Sequence, residues 1–216
     1  MYAFVTGPLA WIAFAIFFIG MIYRIITLVR LAKKKDKVVF NHFSWGWSAR
    51  STIRWLIPFG SRSMRERPAL TLITFIFHIC LLATPIFLQA HNILWRERWG
   101  FSFWSLSETA GDYMTLLFLA AATLMVLRRI AYPDVKIVTT AYDYLLLAIV
   151  IAPFLTGYFA SHHWFHYKTM LILHILFGEI MLIAIPFTKM SHMLLFFLTR
   201  AHIASEMGQR RGAVSW

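Results

Sequence analysis

Cysteine is almost absent from this chain, and charged residues are scarce. The single cysteine, Cys80, lies in an apolar run, so it can form no internal disulfide and makes a poor metal site by itself. Only 14% of the 216 residues are charged, whereas 60% are hydrophobic. A soluble domain of this size needs more polar surface than that. The sequence also lacks a glycine-rich phosphate loop and internal repeats, and its composition predicts a polytopic membrane protein.

Five apolar stretches are long enough to cross about 30 Å of hydrocarbon as helices. They run over residues 9–29, 69–95, 113–127, 141–160 and 169–187, and the third is the shortest. We therefore predict an all-α integral membrane fold, a bundle of five transmembrane helices that forms a single domain over residues 1–216.

Basic residues are confined to particular loops. Of 21 lysines and arginines, 11 lie between Arg24 and Arg67, three between Arg128 and Lys136 and four from Lys189 onward. Positive residues mark the cytoplasmic side of a membrane protein, so the asymmetry predicts an amino terminus outside and a cytoplasmic carboxyl terminus. It also accounts for the net charge of +12 without nucleic acid. No basic leader precedes the first helix, which we expect to be retained.

The segment 32–68 is predicted to be a cytoplasmic interfacial loop. Tryptophan and arginine are interspersed with apolar residues from Trp45 to Ile57, a pattern typical of an amphipathic helix at the membrane surface. The same residue types also anchor protein contacts. Two roles therefore stay open for the loop, packing on the membrane surface and docking of a cytoplasmic partner.

Two histidines lie deep inside predicted spans. His78 in the second span and His174 in the fifth are flanked by apolar residues. Polar side chains at such depth are costly and usually functional, although a ring bonded to a neighbouring carbonyl is a purely structural alternative. Two more histidines are expected at the ends of the same spans, with His91 closing the second and His192 closing the fifth.

The spacing of these four histidines predicts ligation of two haems. His174 and His192 are 18 residues apart, which is five full helical turns, so one helix carries both on one face about 27 Å apart. Because the second and fifth spans run antiparallel, depth pairs His78 with His192 on the cytoplasmic side and His91 with His174 on the outer side. A pair of neutral imidazoles is the ligand set of a bis-histidine haem.

Two further residues bear on this geometry. Gly178, one turn after His174 on the same face, leaves room for a flat ligand against the backbone. His78 and His91 are 13 residues apart, which in a straight helix places them about 140° from a common face. Pro85 lies between them, and we expect it to kink the helix and re-aim His91.

Arg96, Arg98, His163 and His166 lie in the predicted outer loops. They are candidate contacts for a quinone or for haem propionates. Head-group anchoring of the arginines and a solvated loop around the histidines are the alternatives.

Two acidic residues fall within predicted spans. Glu179 is the deepest acid, and it is either a protonated, hydrogen-bonded structural group or a proton relay beside the redox centre. Asp143 lies at the start of the fourth span, where an acid interacts favourably with the helix dipole, so we expect it to cap that helix.

With these features, the sequence resembles the gamma subunit of respiratory nitrate reductase and its relatives. These relatives include the membrane cytochrome b subunits of heterodisulfide reductase and of the transmembrane redox complexes of sulfate reducers. The resemblance covers nearly the whole chain in helix number. It is most specific in the fifth span, where His174, Gly178 and His192 stand at the family's spacing within a similar run over residues 185–192. In the second span, His78 resembles the ligand of the haem nearer the cytoplasm.

Two segments, 55–68 and 85–92, look most like the Hmc- and Tmc-type subunits of sulfate reducers. In the nitrate reductase subunit the next ligand after the equivalent of His78 comes sooner than His91 does. The resemblance implies two haems b, a cytoplasmic iron–sulfur partner, and other membrane and periplasmic subunits that exchange electrons with a multihaem cytochrome. It also implies the inner membrane of a bacterium or archaeon.

We therefore expect a dihaem cytochrome b that carries electrons between a quinol or periplasmic cytochrome and a cytoplasmic iron–sulfur protein, with menaquinone as a candidate bound quinone. Such a chain is the electron-transfer subunit of an oxidoreductase complex and not a complete enzyme alone. The alternatives are a haem-free membrane anchor subunit and a small proton- or ion-conducting membrane protein.

Overall fold

The computed structural model describes residues 1–214, and these residues are built of α-helices. Eight helices have eleven or more residues. We label them α1 (Tyr2–Lys35), α2 (Trp45–Leu56), α3 (Pro68–Phe87), α4 (Gln89–Trp99), α5 (Glu108–Ala131), α6 (Ala141–Ser161), α7 (Tyr167–Phe187) and α8 (His192–Ser205). Shorter helical segments are Lys37–Asn41, Arg62–Glu66, Pro133–Lys136, Lys189–Ser191 and Glu206–Arg210.

Five of these helices, α1, α3, α5, α6 and α7, are long and apolar enough to cross a membrane. The prediction of an all-α membrane fold with five spanning helices is therefore confirmed. The third span is longer than its predicted range of 113–127, because α5 continues for a turn or more at each end. An amphipathic helix, α2, forms in the loop as expected.

Side-chain caps fix where several helices begin. The Ser107 side chain accepts a hydrogen bond from the Ala110 N–H at 3.3 Å at the start of α5. At the start of α6, the Thr140 N–H and hydroxyl both donate to the Asp143 carboxylate at 2.9 Å. The predicted capping role of Asp143 is therefore confirmed, and it takes the form of a capping box.

The histidines expected to close the second and fifth spans lie beyond the ends of those spans. The second span does not reach Trp95, because α3 ends at Phe87 and Leu88 has extended backbone before α4 begins. His91 therefore lies on a separate helix and does not close the membrane span. The fifth span ends at Phe187 as predicted, directly after Pro186, and His192 begins α8 instead of closing the span.

The chain divides into two compact units, one of residues 69–178 and one of residues 1–68 and 179–216. In the unit 69–178, α3, α5 and α6 share an aromatic core. The Phe118 ring centre lies 4.9 Å from that of Phe77 and 3.9 Å from that of Phe154, and Phe118 is fully buried. Ala121 and Ala122 are also buried, and such small residues allow close approach of membrane helices.

In the other unit, the amphipathic α2 packs against α8 along a row of small residues. The Ser48 hydroxyl donates to the Ala201 carbonyl at 2.9 Å, and the Ser44 N–H donates to the Ser205 hydroxyl at 2.8 Å. Ser48 and Ser205 are both buried. The polar groups of this interface are therefore paired with one another, which allows the two helices to lie close together.

Candidate functional site

The four predicted haem ligands share one side-chain arrangement. In each histidine the ring nitrogen Nδ1 faces a backbone carbonyl at 2.8–2.9 Å. The pairs are His78 with Thr74, His91 with Pro85, His174 with Pro153 and His192 with Lys189. A carbonyl only accepts, so Nδ1 carries the hydrogen and the neutral ring has its lone pair on Nε2. This is the orientation in which a histidine binds a metal through Nε2.

Two of these rings, His91 and His174, lie close together within the unit 69–178. Their centres are 5.9 Å apart and their planes are 18° from parallel. Two imidazoles that bind one metal from opposite sides, each through Nε2 at about 2 Å, have ring centres about 6 Å apart. Among residues 1–214, neither Nε2 has a hydrogen-bond partner. The pair therefore has the spacing and the lone pairs that ligation of one metal requires.

The position of His91 follows from the break between α3 and α4. A helix end leaves its last four carbonyls without intrahelical partners. At the end of α3, the carbonyls of Thr84 and Pro85 accept from the Leu88 N–H at 2.9 Å and from His91 Nδ1 at 2.9 Å. The Phe87 carbonyl accepts from the Leu106 N–H at 2.8 Å. His91 is therefore oriented by a carbonyl that the break frees.

Asn92 completes this helix end and was not predicted from the sequence. Its side-chain amide donates to the Ile86 carbonyl at 2.9 Å and to the Leu88 carbonyl at 3.1 Å, while its oxygen accepts from the Phe103 N–H at 2.7 Å. Only 2% of Asn92 is exposed. A buried amide with three partners holds the start of α4, and with it the neighbouring His91, in one position.

The position of His174 depends on two residues of α6. Its Nδ1 donates to the Pro153 carbonyl at 2.8 Å. A Cβ added at Gly157 would lie 2.8 Å from that same nitrogen, so only glycine leaves room for the ring here. Gly157 was also missed by the sequence reasoning, although its place one turn after Pro153 in a membrane helix is a visible signal.

Gly178 has the open space that the sequence predicted for it. A Cβ added there meets no atom within 4 Å.

The described residues contain no group of three or more histidine, cysteine or acidic side chains that could hold a metal ion. A bare metal ion needs three or four protein ligands, whereas haem brings four nitrogens of its own and needs only an axial pair. The donor set around His91 and His174 therefore fits haem.

Burial affects the protonation of His91, which lies beyond the membrane-spanning part of α3. Desolvation lowers the pKa of its imidazole, and the hydrogen bond to the Pro85 carbonyl opposes this in part. The ring is therefore neutral at pH 7, which is the state that binds a metal.

His78 and His192 lie in different units, and each is described in its own. His78 is one turn after its carbonyl partner on α3. His192 is the first residue of α8, after the turn Lys189–Ser191. The five-turn calculation for His174 and His192 is therefore wrong, because it assumed one continuous helix through Phe187 and beyond.

The predicted outer-loop contacts are exposed and have local partners. Arg96 donates to the Ser102 hydroxyl at 3.0 Å, and His166 Nδ1 lies 3.1 Å from the Thr169 hydroxyl at the start of α7. The ring of His163 lies 5.0 Å from that of Tyr167. Arg98 is also exposed, on the last turn of α4.

A neighbouring histidine, His162, has a charged partner that the sequence did not indicate. Its Nε2 lies 3.4 Å from the Asp112 carboxylate.

Glu179, in the other unit, is 6% exposed, and neither of its carboxyl oxygens has a hydrogen-bond partner among the described residues. The hydrogen bond expected of a structural Glu179 is therefore not found among the described residues, and the proton-relay role stays a prediction.

The helices and their composition define the class of this protein, a multi-pass helical membrane protein. The chain is 40% identical to a protein of Nitratidesulfovibrio vulgaris (strain Hildenborough) over 219 aligned residues, which cover all of this chain and 97% of the relative. The chain belongs to the same family as this relative, whose name, "Protein", states no activity. No protein-family model and no solved structure matches the chain.

Proposed function

We propose that the chain is a dihaem cytochrome b subunit that carries electrons across the membrane. The observation that carries this proposal is the pair His91 and His174, with ring centres 5.9 Å apart and both Nδ1 atoms held by backbone carbonyls. Haem supplies one-electron chemistry when it is bound. The chain holds both Nδ1 atoms on backbone carbonyls, so Nε2 of each ring is the nitrogen that would bind the metal.

A second haem is proposed at His78 and His192. Each ring has the same Nδ1–carbonyl bond as the first pair, which leaves Nε2 as the nitrogen that would bind the metal. Two haems at different depths are what an electron carrier needs, because a single cofactor does not span about 30 Å of hydrocarbon. The resemblance to cytochrome b subunits supports this second site.

The orientation and the partners belong to the same proposal. The distribution of 21 lysines and arginines supports an outer amino terminus and a cytoplasmic carboxyl terminus. On this orientation, His91 and His174 would hold a haem on the outer side, for electron exchange with menaquinol or with a periplasmic multihaem cytochrome. His78 and His192 would hold one on the cytoplasmic side, for exchange with a cytoplasmic iron–sulfur subunit, in the inner membrane of a bacterium or archaeon.

The test is haem content and its dependence on single histidines. We expect the purified chain to bind two haems b, measured by pyridine haemochrome per polypeptide. His174→Ala removes the outer haem and keeps the inner one, whereas His192→Ala does the reverse. The matched control is His42→Ala, an exposed histidine outside the proposed ligand set. A folded wild-type chain without Soret and alpha bands after haem reconstitution would refute the proposal in favour of a haem-free anchor.

A further inference from the structure

A cavity of about 200 Å³ lies between α3, α5 and α6 in the unit 69–178. Its lining is mixed, with apolar side chains on one part and one threonine and two arginines on the other. The lining residues are Leu70, Thr74, Met125, Arg128, Arg129 and Leu147. Both arginines stand in the last turn of α5, and Leu70 and Thr74 stand in the first two turns of α3. The cavity is thus at one end of these helices, the end that carries the basic loop.

The two arginines have no acidic partner. Within the described residues 1–214, no carboxylate forms an ion pair with Arg128 or Arg129, and both side chains are half-buried. A guanidinium is always charged, and a charge withdrawn from water requires a counter-charge or hydrogen bonds. Arg128 and Arg129 therefore place two positive charges beside a cavity, with no carboxylate paired to them among the described residues.

One of the arginines is oriented by a relay of hydrogen bonds. Arg129 donates to the Thr139 hydroxyl at 3.1 Å, and that hydroxyl donates to the Val135 carbonyl at 2.7 Å. A guanidinium that simply extends to the membrane surface does not need such a contact. These hydrogen bonds fix one part of the Arg129 guanidinium and leave its other N–H groups available for a ligand.

We propose that Arg128 and Arg129 bind an oxyanion, which is a carboxylate or a phosphate of a molecule that lies in the membrane. The planar guanidinium fork matches both groups. One source is the head group of an anionic phospholipid, since basic pockets between membrane helices bind such head groups. The other source is a propionate of a haem at His78, and this source rests on the proposed function. It is favoured by Thr74, which lines the cavity and whose carbonyl accepts from His78 Nδ1 at 2.8 Å.

The experiment uses the full chain with Arg128→Gln, Arg129→Gln and both together. Vesicles of phosphatidylglycerol and phosphatidylcholine supply the lipid probe, and native mass spectrometry measures how much phosphatidylglycerol stays bound. Redox titration measures the potential of each haem, with the haem lost in His78→Ala identified as the inner one. The control Arg30→Gln removes an exposed arginine of α1 that does not line this cavity.

Two results support the site and identify its occupant. If the occupant is a phospholipid, the affinity for phosphatidylglycerol falls about tenfold for each arginine removed, since a hydrogen bond to a charged group contributes about that factor. If the occupant is a propionate, lipid binding is unchanged and the potential of the inner haem falls, because a nearby cation favours the reduced haem. Thr139→Val keeps both charges and produces a smaller change of the same kind.

Other results overturn the proposal. Unchanged lipid binding and unchanged haem potentials in the folded double variant show that no oxyanion is bound there. An equal effect of Arg30→Gln shows that the arginines act only as surface charge. If the wild-type chain holds no haem, the dihaem proposal fails alone, and the lipid measurement still decides whether the arginine site exists.

Discussion

Gly157→Ala is the substitution that tests the outer histidine pair most directly. The added methyl carbon would lie 2.8 Å from Nδ1 and 2.9 Å from Cε1 of His174. Both atoms belong to a rigid ring, so the ring must move away from α6. This movement breaks its 2.8 Å hydrogen bond to the Pro153 carbonyl and changes its direction toward His91.

The free-energy change has three parts. Overpacking costs about 1–3 kcal/mol, and the lost hydrogen bond costs about 1 kcal/mol. Alanine gains about 1 kcal/mol over glycine within a helix. Because the last two nearly cancel, we expect Gly157→Ala to lower the free energy of unfolding by about 1–3 kcal/mol. The chain therefore still folds, while the outer haem is lost or weakened.

The assay is haem content and thermal unfolding of the same purified sample. Gly157→Ala should reduce haem from two per chain to one, and the remaining haem should be the one that needs His78 and His192. Gly46→Ala is the matched control, since an added Cβ there meets nothing within 4 Å. Retention of both haems with unchanged spectra in Gly157→Ala would contradict the proposed ligand geometry, whereas equal loss of both would indicate a folding defect.

Three further substitutions test other parts of the structure. Gly178→Ala should stabilise the haem-free chain by about 1 kcal/mol through helix propensity. It should also weaken outer haem binding, because the space beside Gly178 that no protein atom fills would then hold a methyl group. The change in unfolding temperature should therefore have opposite signs with and without haem. Asn92→Ala should destabilise the chain by about 2–4 kcal/mol, since it removes the three hydrogen bonds of a buried side-chain amide. An unchanged unfolding temperature contradicts this. Gly208→Ala should separate α2 from α8, because its Cβ would overlap the Trp47 ring; proteolysis within residues 32–68 should then become faster.

The sequence predicted the helices because membrane spans are long apolar runs, and a run is a local property. It also predicted which histidines to examine, since imidazoles are unusual in such runs. The break at Leu88 could not be predicted, because it depends on distant groups. The Phe87 carbonyl accepts a hydrogen bond from the Leu106 N–H, and the Asn92 side-chain oxygen accepts one from the Phe103 N–H.

The same limit applies to Gly157 and to the end of α7. The role of Gly157 depends on where His174 approaches α6, which is a tertiary contact. The second span continues through Pro85, where a kink was expected, and is interrupted only at Leu88, while the end of the fifth span after Pro186 was overlooked. A spacing of 18 residues matches five turns only if the helix is continuous, and α7 ends at Phe187.

Main-chain oxygens hold all four imidazoles. This affects which positions can vary within the family. Main-chain oxygens are present whatever side chain a position carries, so substitutions around the rings leave the direction of each Nε2 unchanged. Neighbouring side chains can then differ between homologues without a change in the direction of the four imidazoles. Divergent relatives should therefore keep Gly157, which leaves room for the His174 ring, more strictly than the apolar residues next to the rings.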